Sequence, residues 1–167
     1  AQFLLIFHLL HSVNKHDLAE YNFKSVAAMT GYSPMAITLG AENLEKLGLI
    51  DIIGTKDKSM NFRNDKRELW EKVIASGLVR NPVRKKVFVD KAPADMQLLK
   101  CNVSALAEYS HLSAGNLEYF AIDNTNFRNL EEINALENVN MDEGRICLEV
   151  WRYNPRRIWG DLSSNHS

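Results

Sequence analysis

The chain is short of most residues that announce a specialised chemistry. Two cysteines, Cys101 and Cys147, stand among apolar neighbours in 167 residues, with no CxxC and no Cys/His spacing around them. That argues against a disulfide framework or a zinc site and leaves two small buried hydrophobes, as a reducing compartment allows. Neither sign of charge is in excess: 20 basic against 21 acidic residues give a formal net charge of -1. No global basic field advertises nucleic acid, so any such contact must come from a local patch. Long apolar runs are missing too. Phe3–Leu10, interrupted by His8, falls well short of the ~20 residues that cross a bilayer. It has no basic lead-in and no small-residue cleavage site, so neither a signal peptide nor a membrane partner is expected, and the expected location is cytoplasmic. No P-loop and no dinucleotide fingerprint occurs, and no cofactor is expected. The chain opens in mid-pattern without an initiator Met, as an internal piece of a longer protein would.

What is present is ordinary globular material, 46% hydrophobic and 25% charged, enough for one domain or two small ones. Phe3–His11 is apolar nearly all round and predicts a buried helix. Asn22 can cap a short helix over Phe23–Met29, and Gly31 supplies a turn. Ser33 then caps a second helix with Pro34 at its first position, where a missing N–H costs nothing. Ile37, Ala41, Leu44 and Leu47 form one apolar stripe on it, and Gly48 ends it. Leu49–Ile53, a charged turn over residues 54–58 and the alternating Met60 and Phe62 read as a β-hairpin. Asp65 and Glu68 have capping-box spacing before a helix with an apolar face of Leu69, Trp70, Val73 and Ile74, closed by Gly77.

Helix, helix, turn, helix, two-stranded wing, helix is the order of a winged helix-turn-helix, expected over residues 1–77. The remainder, residues 78–167, reads as a small α+β domain for sensing, dimerisation or partner binding. Its predicted elements are a strand at Val83–Val89, a helix at Leu98–Ser110, a strand in "LEYFAID" and a strand in "RICLEVWRYNP", with Phe127–Asn138 ambiguous between them. The fold class expected is therefore α+β.

The words "TGYSPMAI", "LEKLGLI" and "RELWEKV", in that order and at these separations, resemble the winged-helix domain of MarR-like bacterial regulators. "SALAEYS", "YFAID" and "EVWRYNP" resemble the region that follows the winged helix in uncharacterised regulators and, more loosely, antitoxins of bacterial abortive-infection systems. The resemblance implies a non-enzymatic transcriptional regulator that binds double-stranded DNA, as a homodimer, or an antitoxin with a protein partner.

In such a motif the second helix lies in the major groove. Its face opposite the stripe offers Met35, Ala36, Thr38, Leu39, Glu42 and Asn43, capped by Ser33. Thr38 and Asn43 can hydrogen-bond bases, and Met35 or Ala36 can touch a thymine methyl. The family usually carries a basic residue where Leu39 stands; here no Lys or Arg precedes Lys46 on the helix. Lys56, Lys58 and Arg63, on or beside the wing, are the candidate phosphate contacts. Two rivals stand beside this reading. One is a protein-interaction module, supported by the apolar Leu39. The other is a metal-dependent nuclease built on Asp123 and Glu149, although no Lys follows the second acid as such sites prefer. His8 and His11 could meet on one helix face, but no third ligand accompanies them and no metal is expected.

Overall fold

The computed structural model describes residues 1–11, 16–92, 98–113 and 115–159. It is a mixed α+β protein with a two-stranded and a four-stranded sheet. Two compact units divide the chain: Ala1–Arg80 together with the stretch from Arg156, and Asn81–Pro155. The sequence predicts the division at 77/78, with the final stretch in the second part. Residues 160–167 lie outside the described residues. No helix among the described residues is long and apolar enough to cross a membrane.

The first unit is built from helices and one hairpin. Helix α1 spans Gln2–Leu9 and buries Phe3, Leu4, Leu5, Phe7 and His8. A 3-10 turn, Leu18–Glu20, is capped by Asp17. Helix α2 spans Phe23–Thr30, with the Asn22 side chain accepting from the Ser25 N–H. Helix α3 spans Pro34–Lys46, with Ser33 as its cap and Ile37, Gly40, Ala41 and Leu44 buried. Its stop is a Schellman motif: Leu49 N–H donates to Leu44 O at 3.0 Å and Gly48 N–H to Glu45 O at 2.8 Å. Gly48 makes this possible with φ +71. Strands β1, Ile50–Ile53, and β2, Ser59–Phe62, pair antiparallel with Ile50 opposite Phe62 and Ile53 opposite Ser59. Helix α4, Lys66–Ala75, begins at Asp65, whose carboxylate accepts from the N–H groups of both Arg67 and Glu68.

The second unit is a sheet of strands β3 (Val83–Val89), β4 (Leu99–Lys100), β5 (Glu118–Asp123) and β6 (Ile146–Trp151), in the order β3-β6-β5-β4. Its outer pairs are antiparallel, while β5 and β6 run parallel. A parallel pair needs a crossover; here it is helix α6, Asn124–Glu132, with the loop after it. Val87, Val89, Ile122, Leu148 and Val150 from the sheet pack with Phe127 and Leu130 of α6 into one buried cluster. Helix α5, Asn102–Tyr109, follows β4. The sequence had predicted helix from Leu98 onward. Leu99 and Lys100 instead pair with Ala121 and Phe120, because the edge of β5 offers a ladder that local propensity does not register. A last short helix, α7, Arg156–Trp159, belongs to the first unit.

Candidate nucleic-acid interface

Between α2 and α3 the chain turns in three residues, Gly31–Ser33, with Gly31 left-handed at φ +66. Ser33 Oγ accepts from the Ala36 N–H at 3.2 Å, which fixes the start of α3. Buried Ile37, Ala41 and Leu44 then hold one face inward. The opposite face stays open: Met35 is 67% exposed and Leu39 53% exposed, and Ala36 and Asn43 are exposed beside them. Thr38 is half-exposed, and its hydroxyl donates to the Pro34 carbonyl at 2.9 Å, leaving the oxygen's lone pairs to accept from a ligand.

The hairpin is fastened to this helix. Glu45 Oε1 accepts from the Ile52 N–H at 3.0 Å, and Phe23 N–H donates to Lys58 O at 2.8 Å. These two bonds tie β1 to α3 and the hairpin turn to the start of α2. Lys56 is exposed at the tip, whereas Lys58 is half-buried. Arg63 does not stand free. Its Nη2 and Nε donate to Asp51 Oδ1 at 2.6 and 3.0 Å across the hairpin. That bond holds the Asp51 carboxyl below its usual value and pushes the guanidinium above its own. Asp51 lies in β1 and Arg63 directly after β2, so the antiparallel hairpin expected from the sequence already brings this acid and base together.

Three apolar assignments need correction. Leu47, read as part of the buried stripe, is 50% exposed. It occupies the C-cap, and the Schellman turn brings Leu49 back against Leu44 in its place. Trp70 and Ile74, assigned to the inward face of α4, are half-exposed, while Leu69 and Val73 alone among the four are buried. Trp70 lines an apolar trough of about 590 Å³ with Ile6, Leu9, Leu10 and Val79, and Lys66 stands at its lip.

The candidate metal ligands have other partners. Asp123 caps α6, accepting from the N–H groups of Thr125 and Asn126. Glu149 is buried at 5% exposure, accepting from Asn102 Nδ2 at 3.1 Å and Cys101 Sγ at 3.4 Å, with Lys86 Nζ at 3.4 Å. Burial first, and the Glu149 charge second, push the Cys101 thiol well above its ordinary value, which keeps it protonated at neutral pH. His11 Nδ1 lies 3.2 Å from His8 O. His8 itself stacks flat on Phe62, with ring centres 3.7 Å apart. Among the described residues no three His, Cys, Asp or Glu side chains gather where a metal ion would be held.

Comparison with protein families, with curated proteins and with solved structures finds no match to this chain.

Proposed function

We propose that the first unit is a winged helix-turn-helix that binds double-stranded DNA, and that the chain is a bacterial-type, cytoplasmic transcriptional regulator. The observation that carries this reading is the open outer face of α3: a Ser33-capped, Pro34-started helix that presents Met35, Ala36, Thr38, Leu39 and Asn43 to solvent. Beside it the hairpin bears Lys56 at its tip and Lys58 at its shoulder. Asn43 reads adenine, Thr38 accepts from a base amino group, and Met35 or Ala36 meets a thymine methyl. Lys56 and Lys58 neutralise backbone phosphates, which contribute affinity without sequence preference. No arginine on α3 reads guanine, so a single copy binds weakly. A homodimer spanning two half-sites about 34 Å apart multiplies that affinity.

The test is a titration of the full chain against duplex DNA of mixed sequence across a salt series. Binding at low salt that weakens steeply as salt rises is the expected result; no binding at low salt overturns the reading. Changing Lys56 and Lys58 together to Gln should weaken all sequences alike and flatten the salt dependence by about two charges. Asn43→Ala should change the preference between sequences by about 1–3 kcal/mol at one base pair.

A second reading is favoured by a specific observation. Met35 and Leu39 on α3, Leu47 at its C-cap and Ile53 on the hairpin are all at least half-exposed, apolar side chains better suited to a protein than to phosphates. In that case the unit is an interaction module, such as the antitoxin of a toxin pair. Co-purification with the product of the neighbouring gene, abolished by Leu39→Asp, would support it.

A further inference from the structure

The turn that delivers α3 is held from far along the chain. Arg157, on α7, donates its Nη1–H to the Gly31 carbonyl at 2.9 Å across 126 positions. Its guanidinium carbon lies 5.5 Å from the centre of the Tyr32 ring, and Tyr32 meets Phe3 edge-on at 4.9 Å. The guanidinium rests so closely on Gly31 that a β-carbon there would come within 2.8 Å of it. Ile158, the next residue, is buried at 4% exposure, so α7 is anchored and the arginine is no stray surface side chain.

A guanidinium carries five N–H donors in a rigid fork, suited to holding two acceptors at once. Among the described residues, the Gly31 carbonyl takes one of them, and Arg157 remains only half-buried. Gly31 is two positions from Ser33, where α3 is capped. Its own outward face has no cation before Lys46.

We propose that Arg157 is a backbone-phosphate contact of the α3 reading head. One edge of the guanidinium braces the Gly31 turn, and another donates to a phosphate oxygen of the strand passing the start of α3. This rests on the DNA reading above and deepens it: the cation missing from α3 is brought to its entrance by the segment that follows the second unit.

The experiment titrates the 167-residue wild-type chain, Arg157→Gln and Arg157→Lys against one mixed-sequence duplex between about 50 and 200 mM salt. Arg145→Gln, in the second unit, serves as the charge-matched control. Arg157→Gln is expected to weaken binding to all sequences alike and to lower the slope of log affinity against log salt by about one. Arg157→Lys keeps the slope, because the charge stays while the brace weakens. Arg145→Gln changes neither. Weakened binding by Arg157→Gln with the slope intact makes the arginine a brace only and overturns the proposal, leaving the DNA reading in place; wild-type affinity in Arg157→Gln does the same. A wild-type chain that binds no duplex overturns both. Should Arg157→Gln fail to fold, Arg157→Met takes its place, keeping the apolar stem without the charge: a slope lowered by about one supports the phosphate contact, and an intact slope overturns it.

Discussion

His8 shows how one residue ties the first unit to pH. It is buried on α1, flat against Phe62, and its Nδ1 has no hydrogen-bond partner among the described residues. Burial pulls its pKa from 6.5 down to about 4, with Lys66 and His11 adding to the shift and Asp17 opposing it. The neutral imidazole is therefore the folded form. Its contribution to stability is complete above pH 6.5 and is lost as pH falls through 4. About 2–3 kcal/mol is at stake once residual solvation is allowed for. Thermal unfolding of the wild-type chain and of His8→Phe at pH 7.5 and pH 4.5 checks this. The wild type should lose clearly more stability on acidification than the variant, which keeps the stack on Phe62 without the titrating group. An equal loss in both would place the acid sensitivity elsewhere.

At the scale of single elements, α3 separates what was legible from what was not. Its start needed only Ser33 and Pro34, and its stop only Gly48, because caps are local chemistry readable from two or three residues. The exposure of Leu47 depends on how the chain leaves the helix, one step beyond the periodic pattern. Leu44→Ala should cost about 2–5 kcal/mol by opening a cavity in the core, whereas Leu47→Gln should change unfolding by less than about 0.5 kcal/mol. Comparable losses in the two variants would return Leu47 to the core. Helix α6 was ambiguous in sequence for a related reason. Only Phe127 and Leu130 anchor it. Its stop is Asn134 at φ +50 in place of a glycine, with Ala135 N–H donating to Leu130 O at 3.0 Å and Asn134 N–H to Glu131 O at 3.1 Å. Asn tolerates the left-handed region but signals a helix end far less plainly than Gly does.

Across the whole molecule, the α+β class and strands β3, β5 and β6 could be read from alternation, but their pairing could not. The parallel contact of β5 with β6 and the antiparallel contact of β3 with β6 join segments far apart in sequence. Equally hidden was the return of Arg156–Trp159 to the first unit. Each unit has its own charge. The first unit, residues 1–80 with 156–167, carries twelve basic and ten acidic side chains, and the second, residues 81–155, eight and eleven. The weakly basic first unit and acidic second unit leave any phosphate contact to local placement.

Each unit also has its own core, and a lesion should stay within it. Gly144 tests this, because a β-carbon there would come within 2.8 Å of the Val89 backbone. Gly144→Ala should destabilise the second unit by about 1–3 kcal/mol. Hydrogen exchange should rise over β3, β5 and β6 and remain unchanged over α2 and α3; a matching rise over α3 would mean that the two units unfold together.

The most direct measurement of the central proposal is a hydrogen-exchange footprint of the full chain with and without mixed-sequence duplex DNA at low salt. Slowed exchange is expected over residues 31–47 and 54–58, the turn, α3 and the hairpin tip. Saturating duplex that leaves those segments unaltered, or that protects only the second unit, would contradict it.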